Sequence, residues 1–198
     1  KEAWKEAIEF KEKLFLEHRY EVAEKNAKTC SGVFTAHGMV LLDFKPDKEN
    51  AIMNEDGHCM LRNLVFPQTD ITYIADGVFN GIEVRGELQL PNKTIGIGMK
   101  GGEGVFKNCK FSKLYIPSEV SSLGDYAFAK CEIGVLKLYP SALKSEYGRQ
   151  FKGATIEKLY LPENSLPMSC SEYGVLHSIA VNASVKEVYL DKFVHLSW

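Results

Sequence analysis

The stretch FSKLYIPSEVSSLGDYAFAKC, residues 111–131, decides the fold that we expect for this chain. Leu114 and Ile116 are separated by one residue and therefore share one face of a strand, while Tyr115 points to the opposite face. Pro117 ends the strand because proline has no N–H group to donate to a neighbouring strand. A second set of buried positions follows at Val120, Leu123, Ala127, Phe128 and Cys131. A unit this short cannot bury its own apolar face, so the stretch predicts a similar unit on each side.

Neighbouring units of the same kind are present in the sequence. The strand pattern apolar-x-x-apolar-x-apolar recurs, and its copies end at Phe44, Phe66, Leu90, Ile116, Leu138, Leu161 and Leu190. A phenylalanine follows four of the copies, at Phe79, Phe106, Phe128 and Phe151. The first copy is faint and has Met39, Leu42 and Phe44 as its apolar residues. Arg85 stands where the copy ending at Leu90 should have an apolar residue. These repeats predict a solenoid with about six to seven strands, one for each turn.

The order of residues within one unit carries a family resemblance. Leu-x-Ile-Pro followed by Val-x-x-Leu-Gly-x-x-Ala-Phe-x-x-Cys resembles the BspA-like leucine-rich repeat of bacterial surface proteins, most closely over residues 111–131 and more weakly over residues 39–191. The spacing of the copies agrees with leucine-rich repeats of about 20–29 residues. The resemblance implies an open α/β solenoid with a parallel β-sheet on one face and irregular or short-helix turns on the other. It also implies a cell-surface or secreted bacterial protein that binds a protein or host-matrix ligand.

The first part of the chain is a different kind of sequence. Residues 2–28 are rich in glutamate and lysine and contain no glycine or proline, and their apolar residues follow a helical stripe. We expect residues 1–31 to form an N-terminal α-helix that caps the solenoid, because open-ended repeats need a cap. Residues 32–198 would then be the repeat domain. The alternatives are a helix that packs on another chain, or a linker to an upstream domain.

Composition and charge exclude several classes of function. The hydrophobic content of 45% and charged content of 25% are ordinary for a globular chain. A net charge of -2 gives no basic field, so we expect no nucleic-acid partner. No apolar run approaches the roughly 20 residues of a membrane span. The chain begins with Lys1 and shows no signal peptide. We therefore expect a mature or trimmed chain, and this absence does not argue for the cytoplasm.

The sequence lacks the motifs of known catalytic and metal sites. The five cysteines form no CxxC pair, and the five histidines show no metal-ligand spacing. We expect Cys109 and Cys131, each three residues after a repeat phenylalanine, to be buried and reduced. The glycines of the GxGxxG match, at residues 96, 98 and 101, are interpreted as a turn because no helical pattern follows. We therefore predict no enzyme activity, no metal and no cofactor. A catalytic alternative would use the cysteines or the irregular segment 163–184 as its site, and a deep polar pocket near Cys170 and His177 would favour it.

The strand alternation predicts which residues face outward from the sheet. Two outward positions of each strand supply the candidate partner-binding residues, which are Tyr115, Tyr160, Tyr189, Lys113, Lys137 and Lys158. Tyrosine anchors protein interfaces at low entropic cost. The alternative is that these tyrosines only stabilise the sheet by packing on their neighbours. A second functional hypothesis is a structural module joined to a larger surface assembly through the N-terminal helix. The sequence leaves the ligand and the oligomeric state open.

Overall fold

The computed structural model describes residues 25–29, 31–47, 49, 51–53, 55, 59–67, 71–91, 93–99, 101–138, 148–161, 168–169, 175–190 and 196–197. The strands are β1 (Lys25–Thr29), β2 (Gly32–His37), β3 (Val40–Pro46), β4 (Ala51–Met53), β5 (Cys59–Leu61), β6 (Tyr73–Ile74), β7 (Ile82–Gln89), β8 (Gly96–Ile97), β9 (Lys110–Ile116), β10 (Ser122–Leu123), β11 (Glu132–Leu138), β12 (Thr155–Leu161), β13 (Met168–Ser169), β14 (Ser184–Leu190) and β15 (Leu196–Ser197). Among the described residues there is one helix, α1 (Val175–Asn182), which lies between β13 and β14.

The main sheet forms one face of an open solenoid. Its strand order is β14-β12-β11-β9-β7-β5-β4, and all neighbours are parallel except β4 and β5. Phe111, Leu114 and Ile116 of β9 lie opposite the equivalent apolar residues of β11, and all three are buried. The same register continues through β12 to β14. The parallel sheet and the register that the repeats predicted are therefore confirmed for these strands.

The place of Arg85 in the repeat needs a correction. Val84, not Arg85, lies opposite Phe111, and the register shifts between Val84 and Glu87. One extra residue in β7 makes a β-bulge, which turns the Arg85 side chain outward. Val84 is buried at 1% exposure, so it takes the apolar position that the linear pattern assigned to Arg85. A bulge of one residue is invisible to a pattern that counts fixed spacings.

A second sheet and a column of phenylalanine rings form the turn side of the solenoid. The two-residue strands β6, β8 and β10 pair in parallel and continue the sheet that contains β1, β2 and β3. The rings of Phe79, Phe106, Phe128 and Phe151 are fully buried, and each stacks on the next with centroids 5.0–5.3 Å apart. The recurring phenylalanine therefore marks one aromatic layer in each turn. The sequence predicted irregular turns here and missed the short second sheet.

The first end of the solenoid is covered by a β-meander. Strands β1, β2 and β3 pair antiparallel, and Phe34 and Phe44 extend the phenylalanine column from Phe79. Two expectations are corrected. Residues 25–28 belong to strand β1, not to the predicted helix, because pairing with β2 overrides their helical composition. Residues 40–46 pair with β2 across a turn and lie in the second sheet, so the faint first copy is not a rung of the main sheet. The rest of the predicted N-terminal helix lies outside the described residues.

The last turn has a helix at the place where the earlier turns have the repeat phenylalanine. Val175 and Ile179 of α1 are buried, and the backbone N–H of Gly153 donates to the carbonyl of Asn182 at 2.7 Å. The amide of Asn182 donates back to the carbonyl of Gly148 at 2.6 Å. Part of the segment that we expected to be irregular is thus a short packed helix. Within the described residues the fold is mostly sheet, with eight helical residues.

Candidate binding surface

Two rows of outward side chains cross the main sheet. The first, called the tyrosine row, consists of Tyr115, Lys137, Tyr160 and Tyr189, which lie opposite one another in β9, β11, β12 and β14. The second, called the lysine row, consists of Lys113, Val135, Lys158 and Glu187 in the same strands. All six candidate residues of the sequence analysis are therefore brought together on one face. Lys137 separates Tyr115 from the two later tyrosines. The binding role of the six residues stays a prediction.

The aromatic groups of the tyrosine row contact their neighbours along the row. The rings of Tyr160 and Tyr189 are parallel to within 6° with centroids 4.5 Å apart. Lys137 Nζ lies 5.7 Å from the centroid of the Tyr115 ring, within the range of a cation–π contact. Tyr160 and Tyr189 nevertheless remain 37% and 40% exposed. The row is thus a preformed aromatic surface that is still open to solvent.

The tyrosine hydroxyl at the end of the row is tied to the lysine row. The hydroxyl of Tyr189 donates to Oε2 of Glu187, two residues away on the same strand. This hydrogen bond raises the pKa of Tyr189 above its ordinary value of 10.0, and the negative charge of Glu187 adds to the effect. Tyr189 therefore remains a neutral hydrogen-bonding group over the whole physiological pH range.

A groove runs beside these rows at the beginning of the strands, and the sequence analysis missed it. This groove has a volume of about 510 Å³ and crosses β7, β9, β11, β12 and β14. Its walls carry three ion pairs, which are Arg85–Glu83 at 3.4 Å, Lys110–Glu132 at 3.3 Å and Lys186–Glu157 at 3.0 Å. Ser112 and Gly134 lie in its centre and leave it open because their side chains are small or absent. These two small residues are the signal in the sequence that could have revealed the groove.

The buried thiols have no catalytic geometry. Cys109 Sγ donates to the carbonyl of Phe79, and Cys131 Sγ donates to the carbonyl of Phe106, each at 2.8 Å. Burial raises the pKa of Cys109 to about 12 and raises the pKa of Cys131 well above its ordinary value. A thiol with a raised pKa is a poor nucleophile at neutral pH. Both cysteines are buried as the repeat position predicted. Their role is to fill the core and to satisfy a backbone carbonyl of the preceding turn.

The structure also locates the glycine motif and His177, which the sequence analysis considered as sites. The glycines of the GxGxxG match lie in β8 and in the loop after it, and residues 105–108 form a turn where a nucleotide fold would need a helix. The N–H of Gly101 donates to Oδ2 of the buried Asp125 at 3.0 Å, which holds this loop on the next turn. His177 is half-buried on α1, and Cys170 lies outside the described residues. Across the described ranges, no group of three or more histidine, cysteine or acidic side chains could hold a metal ion.

Comparison with known proteins gives one match. The family model described as BspA type leucine rich repeat region matches residues 56–168 and 100–196, with 6 copies. The match covers more than half of the chain. Neither the curated proteins nor the solved structures include a match to this chain. In the part of the chain that the structure describes, no helix is both long and apolar enough to cross a membrane.

Proposed function

The chain belongs to the BspA-type leucine-rich-repeat family, and from this premise we propose that it is a non-catalytic protein-binding module of a bacterial cell-surface or secreted protein. Leucine-rich repeats generally serve as interaction scaffolds without enzymatic activity, and repeats of the BspA type are typical of bacterial surface and secreted proteins. The finer proposal is adhesion, with a protein or a host-matrix component as the ligand and with no cofactor.

One observation supports the sheet face as the binding surface. The tyrosine row combines a stacked aromatic pair, Tyr160 and Tyr189, with a lysine seated over a third tyrosine ring. Solenoids use extended surfaces of this kind for their partners. Because the rings already contact their neighbours, little side-chain entropy remains to be lost when a partner covers them. Lys137 within the tyrosine row and Lys113 and Lys158 beside it add hydrogen-bond donors next to the aromatic rings, as polar groups do in protein interfaces.

The proposal is tested with the double variant Tyr115→Ser/Tyr160→Ser and a panel of immobilised host-matrix proteins. We expect the unmodified chain to bind at least one of them and the variant to lose more than about 2 kcal/mol of binding free energy, as interface hot spots do. Retained binding by the variant, or no binding to the panel by the unmodified chain, would contradict the adhesion proposal.

Tyr126→Ser supplies the matched control. Lys152 Nζ lies 5.8 Å from the centroid of the Tyr126 ring, so this variant removes a similar contact from the turn side of the molecule. We expect Tyr126→Ser to leave binding unchanged. Thermal melting of all the variants separates the alternatives, because tyrosines that only stabilise the sheet would lower the melting temperature without a specific loss of binding.

A further inference from the structure

A second cavity on the same face lies at the opposite end of the sheet from β14. This cavity, called the Ile52 pocket, has a volume of about 470 Å³ and lies between the β4–β5 hairpin and the bulge of β7. It contains neither the tyrosines nor the lysines of the surface proposed above. Its lining divides into an apolar side and a basic side.

The apolar side is built by a cross-strand pair. Ile52 of β4 lies opposite Met60 of β5, and both side chains line the pocket. Ile52 is 66% exposed and the adjacent Met53 is 63% exposed. A partner that covers large apolar side chains at this exposure gains binding free energy, because their apolar surface is removed from water.

The basic side is built by Arg62 and Arg85. The bulge turns Arg85 outward, where its guanidinium contacts Met60 Sδ at 3.3 Å and leaves the side chain 65% exposed. Arg62 is exposed and follows directly after β5. None of the described residues that line the pocket is acidic, and Arg85 forms its ion pair with Glu83, which is not among the lining residues. Two guanidinium groups beside an apolar surface suit a carboxylate that is attached to an apolar group.

Close backbone packing joins the end of β5 to the bulge beside the pocket. Gly86 donates its N–H to the carbonyl of Arg62 at 2.9 Å. A Cβ atom at residue 86 would lie 2.7 Å from that carbonyl oxygen and would also meet the side-chain oxygen of Asn63. Glycine therefore permits this close approach, which brings the chain segments of Arg62 and Arg85 beside each other.

The pocket adjoins the groove of three ion pairs, because Arg85 lines both cavities. The five strands under that groove span about 19 Å at the usual spacing of about 4.8 Å, which is the length of roughly six extended residues. Walls with charges of both signs suit a polypeptide with polar and mixed-charge groups. An isolated apolar acid would occupy only the pocket and leave the groove empty.

We propose that the Ile52 pocket binds an extended protein segment in which an acidic residue adjoins a large apolar residue. The carboxylate of the segment is held by Arg62 and Arg85, its apolar side chain covers Ile52 and Met60, and the following residues lie along the groove. This site is separate from the tyrosine row, so each can be removed without the other.

The test uses fluorescence anisotropy with labelled peptides of about ten residues, long enough to cross the pocket and the groove. The probe peptide has a Glu-Leu pair in a glycine and serine background, and its two controls carry Gln-Leu or Glu-Ser instead. We expect the probe to bind and each control peptide to bind at least about tenfold more weakly, because Gln-Leu loses a charge-assisted contact and Glu-Ser loses the burial of an apolar side chain. Octanoate, an apolar acid without a peptide chain, should compete poorly.

Variants of exposed residues complete the test without disturbing the core. Arg62→Gln and Ile52→Ser should each lower the affinity for the probe at least about tenfold and keep the melting temperature. Lys137→Gln, in the tyrosine row, should leave the affinity unchanged. Among the peptide results, the proposal is overturned if the probe does not bind, if Gln-Leu binds equally well, or if octanoate displaces the probe at equal concentration. Among the variants, it is overturned if Arg62→Gln keeps full affinity or if Lys137→Gln weakens binding as much as Arg62→Gln.

Discussion

At the scale of single residues, the cysteines of the repeat show how one position serves both packing and hydrogen bonding. Cys109 and Cys131 occupy equivalent places in successive turns, and each thiol reaches a carbonyl of the preceding turn. A serine would place a more polar hydroxyl in the same apolar surroundings, and an alanine would leave the carbonyl without this donor. The thiol is a weak donor with the volume of a small apolar group, so it fits this position.

The raised thiol pKa values predict a dependence of stability on pH. In the folded chain Cys109 stays protonated up to about pH 12, whereas in the unfolded chain it ionises near pH 8.5. The folded state therefore binds more protons than the unfolded state in alkali, and the free energy of unfolding falls as the pH rises above about 8.5. Urea unfolding at about pH 8 and about pH 10 measures the change. The double variant Cys109→Ala/Cys131→Ala should lose less stability over this interval than the unmodified chain. An equal loss in both chains would contradict the prediction.

At the scale of the elements, the buried hydroxyl of Ser31 helps to hold the β1–β3 meander on the segment after β5. Ser31 Oγ donates to the carbonyl of Asn63 at 3.0 Å and accepts from the N–H of Val65 at 2.8 Å. Ser31 is 2% exposed, so water cannot replace these bonds without local opening. The turn between β1 and β2 thus ties the first end of the solenoid to the segment after β5.

We expect Ser31→Ala to lower the free energy of unfolding by about 1–3 kcal/mol, because two part-buried hydrogen bonds to the backbone are lost. Hydrogen exchange should quicken at the amide of Val65 and in the meander, while β11 keeps its protection. Ser121→Ala is the control, since the Ser121 hydroxyl donates to the carbonyl of Ile95 at 3.4 Å in an exposed setting. A similar loss of stability in both variants would show that Ser31 has no special role.

The elements also show where sequence reasoning succeeds and where it fails. The register of β9, β11, β12 and β14 could be predicted because each strand repeats the same apolar spacing, and the outward position of the six candidate residues follows from that register alone. Strand β1 could not be predicted, since its residues have helical composition and its state depends on pairing with β2. The Ile52 pocket also escaped prediction, because it depends on a bulge in β7 and on the close approach of Gly86 to the backbone of Arg62.

At the scale of the whole molecule, the stacked phenylalanine rings run through the solenoid from turn to turn. Phe79, Phe106, Phe128 and Phe151 stack in succession, and the meander adds Phe34 and Phe44 at the first end. In a solenoid each turn contacts only its neighbours, so stability is carried by the interfaces between adjacent turns. A cavity in the middle of the column therefore weakens two interior interfaces, whereas a cavity near its end weakens the attachment of the last turns.

This difference gives a prediction for Phe128→Ala and Phe151→Ala. Both side chains are fully buried, so each substitution should cost about 3–5 kcal/mol locally. Phe128 stacks between Phe106 and Phe151, and its loss should reduce hydrogen-exchange protection in both β9 and β12. Phe151 stacks on Phe128 and lies in the turn that packs against α1, so its loss should expose β14 and α1 while β7 and β9 keep their protection.

The comparison contains its own control, because the same residue type is removed from two positions of one column. Identical exchange patterns in the two variants would show that the solenoid opens as a single unit, contrary to the contacts between turns that the structure shows.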